Sequence, residues 1–231
     1  MPARQPPARA RDVRPTMVRV PGGTRLWRVH PRGREDVFET GPHVEPFGGG
    51  RFDSNESFRY PFAYLGMEPD TALCERLLRG LPTDAAGARL LPRREVAGRQ
   101  LRAVRLRRDL ELLSLRTGPE LAGVYADEWL VHCDAAEYPK TRAWGHWLRE
   151  QVPDAEGFTW ASKRNLAGSA VILFGDRCRD AVEWDAGVAP LDLDDEAGAA
   201  ELRRRLAPFR VTLRPPRRPY VAETGAGVHA R

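Results

Sequence analysis

Lysine is nearly missing from this chain: Lys140 and Lys163 are its only two, so 35 of the 37 basic residues are arginine. No lysine follows the glycine run at 48–50, which excludes a Walker-type phosphate loop. Cysteine is also scarce. Cys74, Cys133 and Cys178 are odd in number, far apart and in no C-x-x-C pair, which argues against both a disulfide framework and structural zinc. His132 adjoins Cys133 and His146 follows, yet nothing has zinc-ligand spacing, so no metal site is expected. No apolar run approaches the ~20 residues needed to cross a bilayer. The N-terminus MPARQPPARARDVRP lacks the apolar centre of a secretory signal, so a cytoplasmic location is the expectation. No repeat is visible.

What is abundant is arginine, and its placement matters more than its number. The net charge is +5 over 231 residues, but residues 1–19 carry +4 and residues 214–231 carry +3, leaving the stretch between at −2. A phosphate-binding face for DNA would concentrate charge on the folded unit, so specific nucleic-acid binding is not expected. Both ends are rich in Pro and Arg without apolar periodicity. Three regions are therefore expected: a disordered basic tail at 1–21, one folded domain at 22–210, and a flexible tail at 211–231.

Within the folded unit, TRLWRVH (24–30) alternates as a strand does, and FAYLG (62–66) is a short aromatic strand. The segment between them, rich in Gly, Pro, Asn and Ser, predicts a long loop, of the sort that often carries function. PDTALCERLLRG (69–80) predicts a helix started by Pro69 and stopped near Gly80. LRAVRLRRDLELLSL (101–115) predicts two strands or a bent one, and 119–133 and 138–151 predict aromatic-rich helices. Strands near 158–162 and 169–175 and a charged helix at 195–207 follow. Strands and helices interleave without a regular β-α-β rhythm, so the expected fold class is α+β in a single compact domain.

Four positions offer chemistry, each with a plainer alternative. Arg51 in GGGRFD (48–53) presents a guanidinium suited to phosphate beside a backbone that a ligand can approach closely, but a flexible turn with a solvated Arg would look the same. Tyr64 leaves a strand eleven residues before Glu75. Glu75 points away from the Leu73 and Leu77 stripe and could stabilise a ribosyl cation, or simply pair with Arg79 at i,i+4. Ser162 ends FTWAS beside Lys163 and Arg164, outside any G-x-S-x-G elbow, and could be a hydrogen-bond filler. Arg28 in TRLWRVH is either an exposed strand residue or a second phosphate ligand.

Taken in order, RLWRVH, GGRFD, YLGMEPDTALCE, YPKTRAWGHWL, the Ser ending FTWAS, and ILFGDRC resemble the RES domain, over about residues 25–178. Motif by motif the family's Arg falls on Arg51, its strand Tyr on Tyr64, its helix Glu on Glu75 and its late Ser on Ser162, with Arg28 as a further phosphate contact. The resemblance implies a fold similar to ADP-ribosyltransferases and cleavage of the nicotinamide–ribose bond of NAD⁺, with phosphate or water as acceptor. NAD⁺ would be substrate and inorganic phosphate a co-substrate, with no resident cofactor. It also implies a toxin of a toxin–antitoxin pair, whose antitoxin is a separate helix-turn-helix protein. A homo-oligomer is compatible with all of this.

Two departures from the family pattern stand out: the SNESFRYPF stretch between Arg51 and Tyr64, which puts Tyr60 in competition for the aromatic role, and the basic tails. Two other functions stay open on the sequence. One is mono-ADP-ribosyl transfer to a protein side chain. The other is a non-catalytic, basic module that binds nucleic acid or a protein partner, which predicts steeply salt-dependent binding through the tails.

Overall fold

The computed structural model describes residues 5–8, 12–40 and 49–215; the basic ends at 1–4, 9–11 and 216–231, and residues 41–48 of the long loop, lie outside these. In chain order the strands are β1 (Met17–Val20), β2 (Arg25–Pro31), β3 (Phe62–Gly66), β4 (Arg89–Leu91), β5 (Arg99–Leu106), β6 (Leu110–Ser114), β7 (Gly157–Ala161), β8 (Ser169–Phe174), β9 (Val182–Trp184), β10 (Leu191–Asp192) and β11 (Val211–Leu213). The helices are α1 (Pro69–Leu77), α2 (Gly118–Gly123), α3 (Glu128–His132), α4 (Tyr138–Gln151), α5 (Gly175–Cys178) and α6 (Glu196–Leu206). The class is α+β, as the irregular alternation implies.

A mixed sheet runs β1-β6-β7-β8-β3-β2-β5-β10, with β9 also on β5 and only the β6–β7 pair parallel. Its weakest seam lies between β2 and β3. β2 shares seven register pairs with β5 but a single one, Trp27 with Gly66, with β3. The sheet is thus two leaves joined by one rung. Next to that rung Gly66 lets α1 approach, because a Cβ there would fall 2.5 Å from the Ala72 nitrogen and 2.8 Å from the Glu68 carbonyl. α1 accordingly lies on the face that Tyr64 and Gly66 share.

The strand alternation divides the core. Ala63, Leu65, Val171 and Leu173 turn to one face, with Leu26, Val37 and Phe38. Phe62, Ile172, Phe174 and Phe158 turn to the other, packed on Trp144 and Leu148 of α4. Trp27 and Val29 pack against the α1 cluster of Leu73 and Leu77. Edge-to-face ring pairs such as Phe158 with Phe174, 4.9 Å apart, reinforce the second core.

Three expectations need correction. The tail expected at 1–21 contains β1, which pairs in register with β6 from Met17 opposite Leu113 to Val20 opposite Leu110; Val20 is buried there. Four residues are too few to show periodicity, and the partner supplies the reason to order. Likewise β11 lies past 210, paired in parallel with β4. The helix expected over 119–133 is two, because Tyr125 takes a left-handed φ of 62° and Asp127 then caps a new start by accepting the Trp129 N–H.

Candidate functional site

The Ser162 hydroxyl and the Glu75 carboxylate, 87 residues apart in sequence, are brought together: Oγ donates to Oε1 at 2.6 Å. Ser162 has no exposed surface. Its Oγ also accepts the backbone N–H of Asn165 at 3.0 Å and of Arg164 at 3.2 Å. Tied on both sides, this hydroxyl positions Glu75 and is ill placed to attack anything. Arg164 completes the group, with Nη1 3.4 Å from Glu75 Oε2. The loop after β7 is itself fastened to α1, since Asn165 Nδ2 donates to Thr71 Oγ1 at 3.0 Å, and Thr71 donates to Glu68.

Arg79, which the sequence offers as an i,i+4 partner for Glu75, goes elsewhere. It lies beyond the Leu78 cap of α1, donates to the Gly49 carbonyl and sits 4.6 Å over the Tyr138 ring. Arg51 occupies the same ring at 4.9 Å. The Arg51 guanidinium is buried and donates to the Leu130 carbonyl at 3.1 Å and to the Sγ of Cys133 at 2.9 Å. Burial pushes the Cys133 thiol up while Arg51 pulls it back, so the sulfur stays a neutral partner. Among the described residues neither Arg51 nor Arg79 has a carboxylate partner. Nearby, Lys163 holds the Asp134 carboxylate below its usual range, with Arg164 and Arg51 adding to the effect.

Tyr64 stands under the glycine run. Its hydroxyl accepts the Phe52 N–H at 2.7 Å, and burial, followed by Asp53, raises its pKa well above the ordinary phenol value. Gly50 has to be glycine, because a Cβ would meet the Tyr64 hydroxyl and an Asp53 carboxylate oxygen at 2.6 Å each. The ring itself stays half-buried, whereas Tyr60 is buried in the aromatic core beneath Arg149, 3.9 Å from its guanidinium carbon. Of the two tyrosines, Tyr64 is the one with open surface.

Arg28 is set apart. It shares the strand face of Leu26 and pairs with Glu39; burial lowers its pKa to about 10, Glu39 opposing. No hydrogen bond links it to Arg51, Tyr64, Glu75 or Ser162 among the described residues. Among the described residues its Nη1 is buried without a hydrogen-bond partner. Sequence reasoning missed Arg164 and Arg79 as site residues. Arg164 was visible as a cation two positions after Ser162, but its partner lies on a distant helix.

The fold and site define an α+β protein with a hydroxyl-braced carboxylate and, among the described residues, two arginines without a carboxylate partner at Tyr138. The RES domain family model matches residues 25–222, most of the chain, and the chain belongs to that family. A chain of the crystal structure of the M. tuberculosis MbcT–MbcA toxin–antitoxin complex has the same fold, with a TM-score of 0.53 at 15% identity, over 78% of this chain and 92% of that one. No curated protein matches. No helix among the described residues is long and apolar enough to cross a membrane.

Proposed function

We propose that this protein cleaves the nicotinamide–ribose bond of NAD⁺. The observation that carries the reading is the presence of two opposite needs in the two groups of residues described. A guanidinium buried without a carboxylate is costly, of the order of several kcal/mol before relaxation, unless an anion arrives. Among the described residues Arg51 is such a group, and the exposed Arg79 lies over the same Tyr138 ring. A dinucleotide diphosphate, or inorganic phosphate, meets that need. Glu75, in turn, is held ready by Ser162 for a developing positive charge.

In this reading Tyr64 shapes the nicotinamide pocket with its open ring surface. The C1′–N bond breaks with its electron pair leaving on nicotinamide, and Glu75 stabilises the ribosyl cation left behind. Phosphate or water then adds through oxygen at C1′ and loses its proton to solvent. Arg28, buried and paired with Glu39, is the second phosphate ligand of this reading, a role that requires that pair to open. Ser162 acts only through Glu75. By kinship with the toxin–antitoxin fold, the proposed role is that of a toxin, restrained by a separate helix-turn-helix antitoxin. An NAD⁺-consumption assay with Glu75→Gln and Arg51→Ala tests the assignment: Glu75→Gln is expected to lose at least about 100-fold in turnover and Arg51→Ala about as much in kcat/KM through a raised KM, and undiminished kcat/KM in both would overturn it.

A further inference from the structure

Gly49 and Gly50, which precede Arg51, have no regular structure of their own. Among the described residues, no backbone-to-backbone hydrogen bond involves residues 49–52, and Gly49 takes a left-handed φ of 76°. Side chains from separate elements hold each peptide group. Arg79 takes the Gly49 carbonyl, Asp53 the Gly50 N–H, and Arg142 Nε the Gly50 carbonyl at 3.2 Å. Thr141 Oγ1 donates to the Arg51 carbonyl at 2.8 Å.

The residue after Arg51 is held most completely. The Phe52 N–H donates to the Tyr64 hydroxyl at 2.7 Å, and the Phe52 carbonyl accepts from the Tyr60 hydroxyl at 2.8 Å. Two phenols thus fix both polar groups of one residue: Tyr64 holds the Arg51–Phe52 peptide and Tyr60 the Phe52–Asp53 peptide that follows it, so the backbone leaving Arg51 is anchored on both sides of Phe52. Phe52 itself is wholly buried, 5.4 Å from the ring of Phe158. Tyr60 comes from the SNESFRYPF stretch that departs from the family pattern, so that stretch has a task.

We propose that Tyr60 is a positioning residue for Arg51, acting through the Phe52 carbonyl; its kinetic consequence rests on the NAD⁺-cleaving reading above. Buried under the Arg149 guanidinium and against Phe174 at 5.4 Å, its ring cannot reach a substrate. Its hydroxyl does one thing, and Tyr60→Phe removes that one thing while keeping the ring contacts.

If Arg51 binds the diphosphate in ground and transition states alike, misplacing it raises KM and leaves kcat nearly alone. Tyr60→Phe is therefore expected to raise KM for NAD⁺ about three- to tenfold, the range of one lost hydrogen bond, with kcat within about twofold. Combined with Arg51→Ala it should add nothing further, because the group it positions is gone. Amide hydrogen exchange should quicken in residues 50–53 and stay unchanged in β8. Unchanged KM and unchanged exchange at 50–53, with or without a lower Tm, would overturn the proposal. If the wild-type chain leaves NAD⁺ intact, the functional reading fails by itself, and the exchange measurement still decides whether Tyr60 positions this segment.

Discussion

At the scale of single residues, the chemistry turns on how Glu75 is held. Removing the hydroxyl in Ser162→Ala strands two backbone N–H groups and frees the carboxylate, so the variant should lose about 1–3 kcal/mol of stability. Turnover should fall about 10- to 100-fold, the range for losing orientation of a reacting group. Thermal unfolding and steady-state kinetics check the two effects separately. A variant as stable and as fast as the parent would show that Ser162 only fills space. Arg164→Ala should leave the Ser162 contact in place and lower kcat/KM more modestly, by about three- to tenfold, since a part-exposed pair at 3.4 Å contributes little.

Residue types were legible here in a particular way. Each of Arg51, Tyr64, Glu75 and Ser162 had a plain reading by itself, and their order in the chain lifted them above it. The partners were not legible. Local spacing pointed Glu75 at Arg79, four residues on, whereas the helix ends at Leu77 and the real partners are 87 and 89 residues away. Tertiary pairing of that kind leaves no periodic trace.

Among elements, the long ones follow from the sequence and the short ones from their neighbours. α4 spans Tyr138–Gln151, the stretch its aromatic and apolar spacing outlines, and β3 spans FAYLG. β1 shows the opposite case. Its four residues order because β6 presents a ladder, and Val20 then joins the core with Leu110 and Leu112. Deleting residues 1–21 should therefore lower Tm measurably, by several degrees at the least for a chain of this size, and uncover an aggregation-prone edge on β6. Calorimetry of the truncated chain checks this; an unchanged Tm would mean that β1 contributes nothing to the folded state.

Over the whole molecule, two buried histidines predict the pH response. Burial, with nearby arginines adding to it, lowers His30 and His146 each to about 4. Unfolded, the same rings take up a proton near pH 6.5. The unfolded chain thus binds more protons as pH falls below about 6.5, and stability should drop between there and pH 4, by up to about 3 kcal/mol for each ring. His146→Gln should flatten that slope, measured as Tm against pH; an unaltered slope would remove His146 from the account.

The charge of the whole chain, in contrast, says little about its work. The net positive charge lies near the ends, and the arginines that matter are few: Arg51 and Arg79 at Tyr138, Arg164 at Glu75 and Arg28 on β2. The most direct measurement of the central claim is product analysis of the purified protein incubated with NAD⁺, with and without inorganic phosphate. The account predicts free nicotinamide in step with ADP-ribose or its phosphate ester. Intact NAD⁺, or cleavage at the diphosphate with no nicotinamide released, would contradict it.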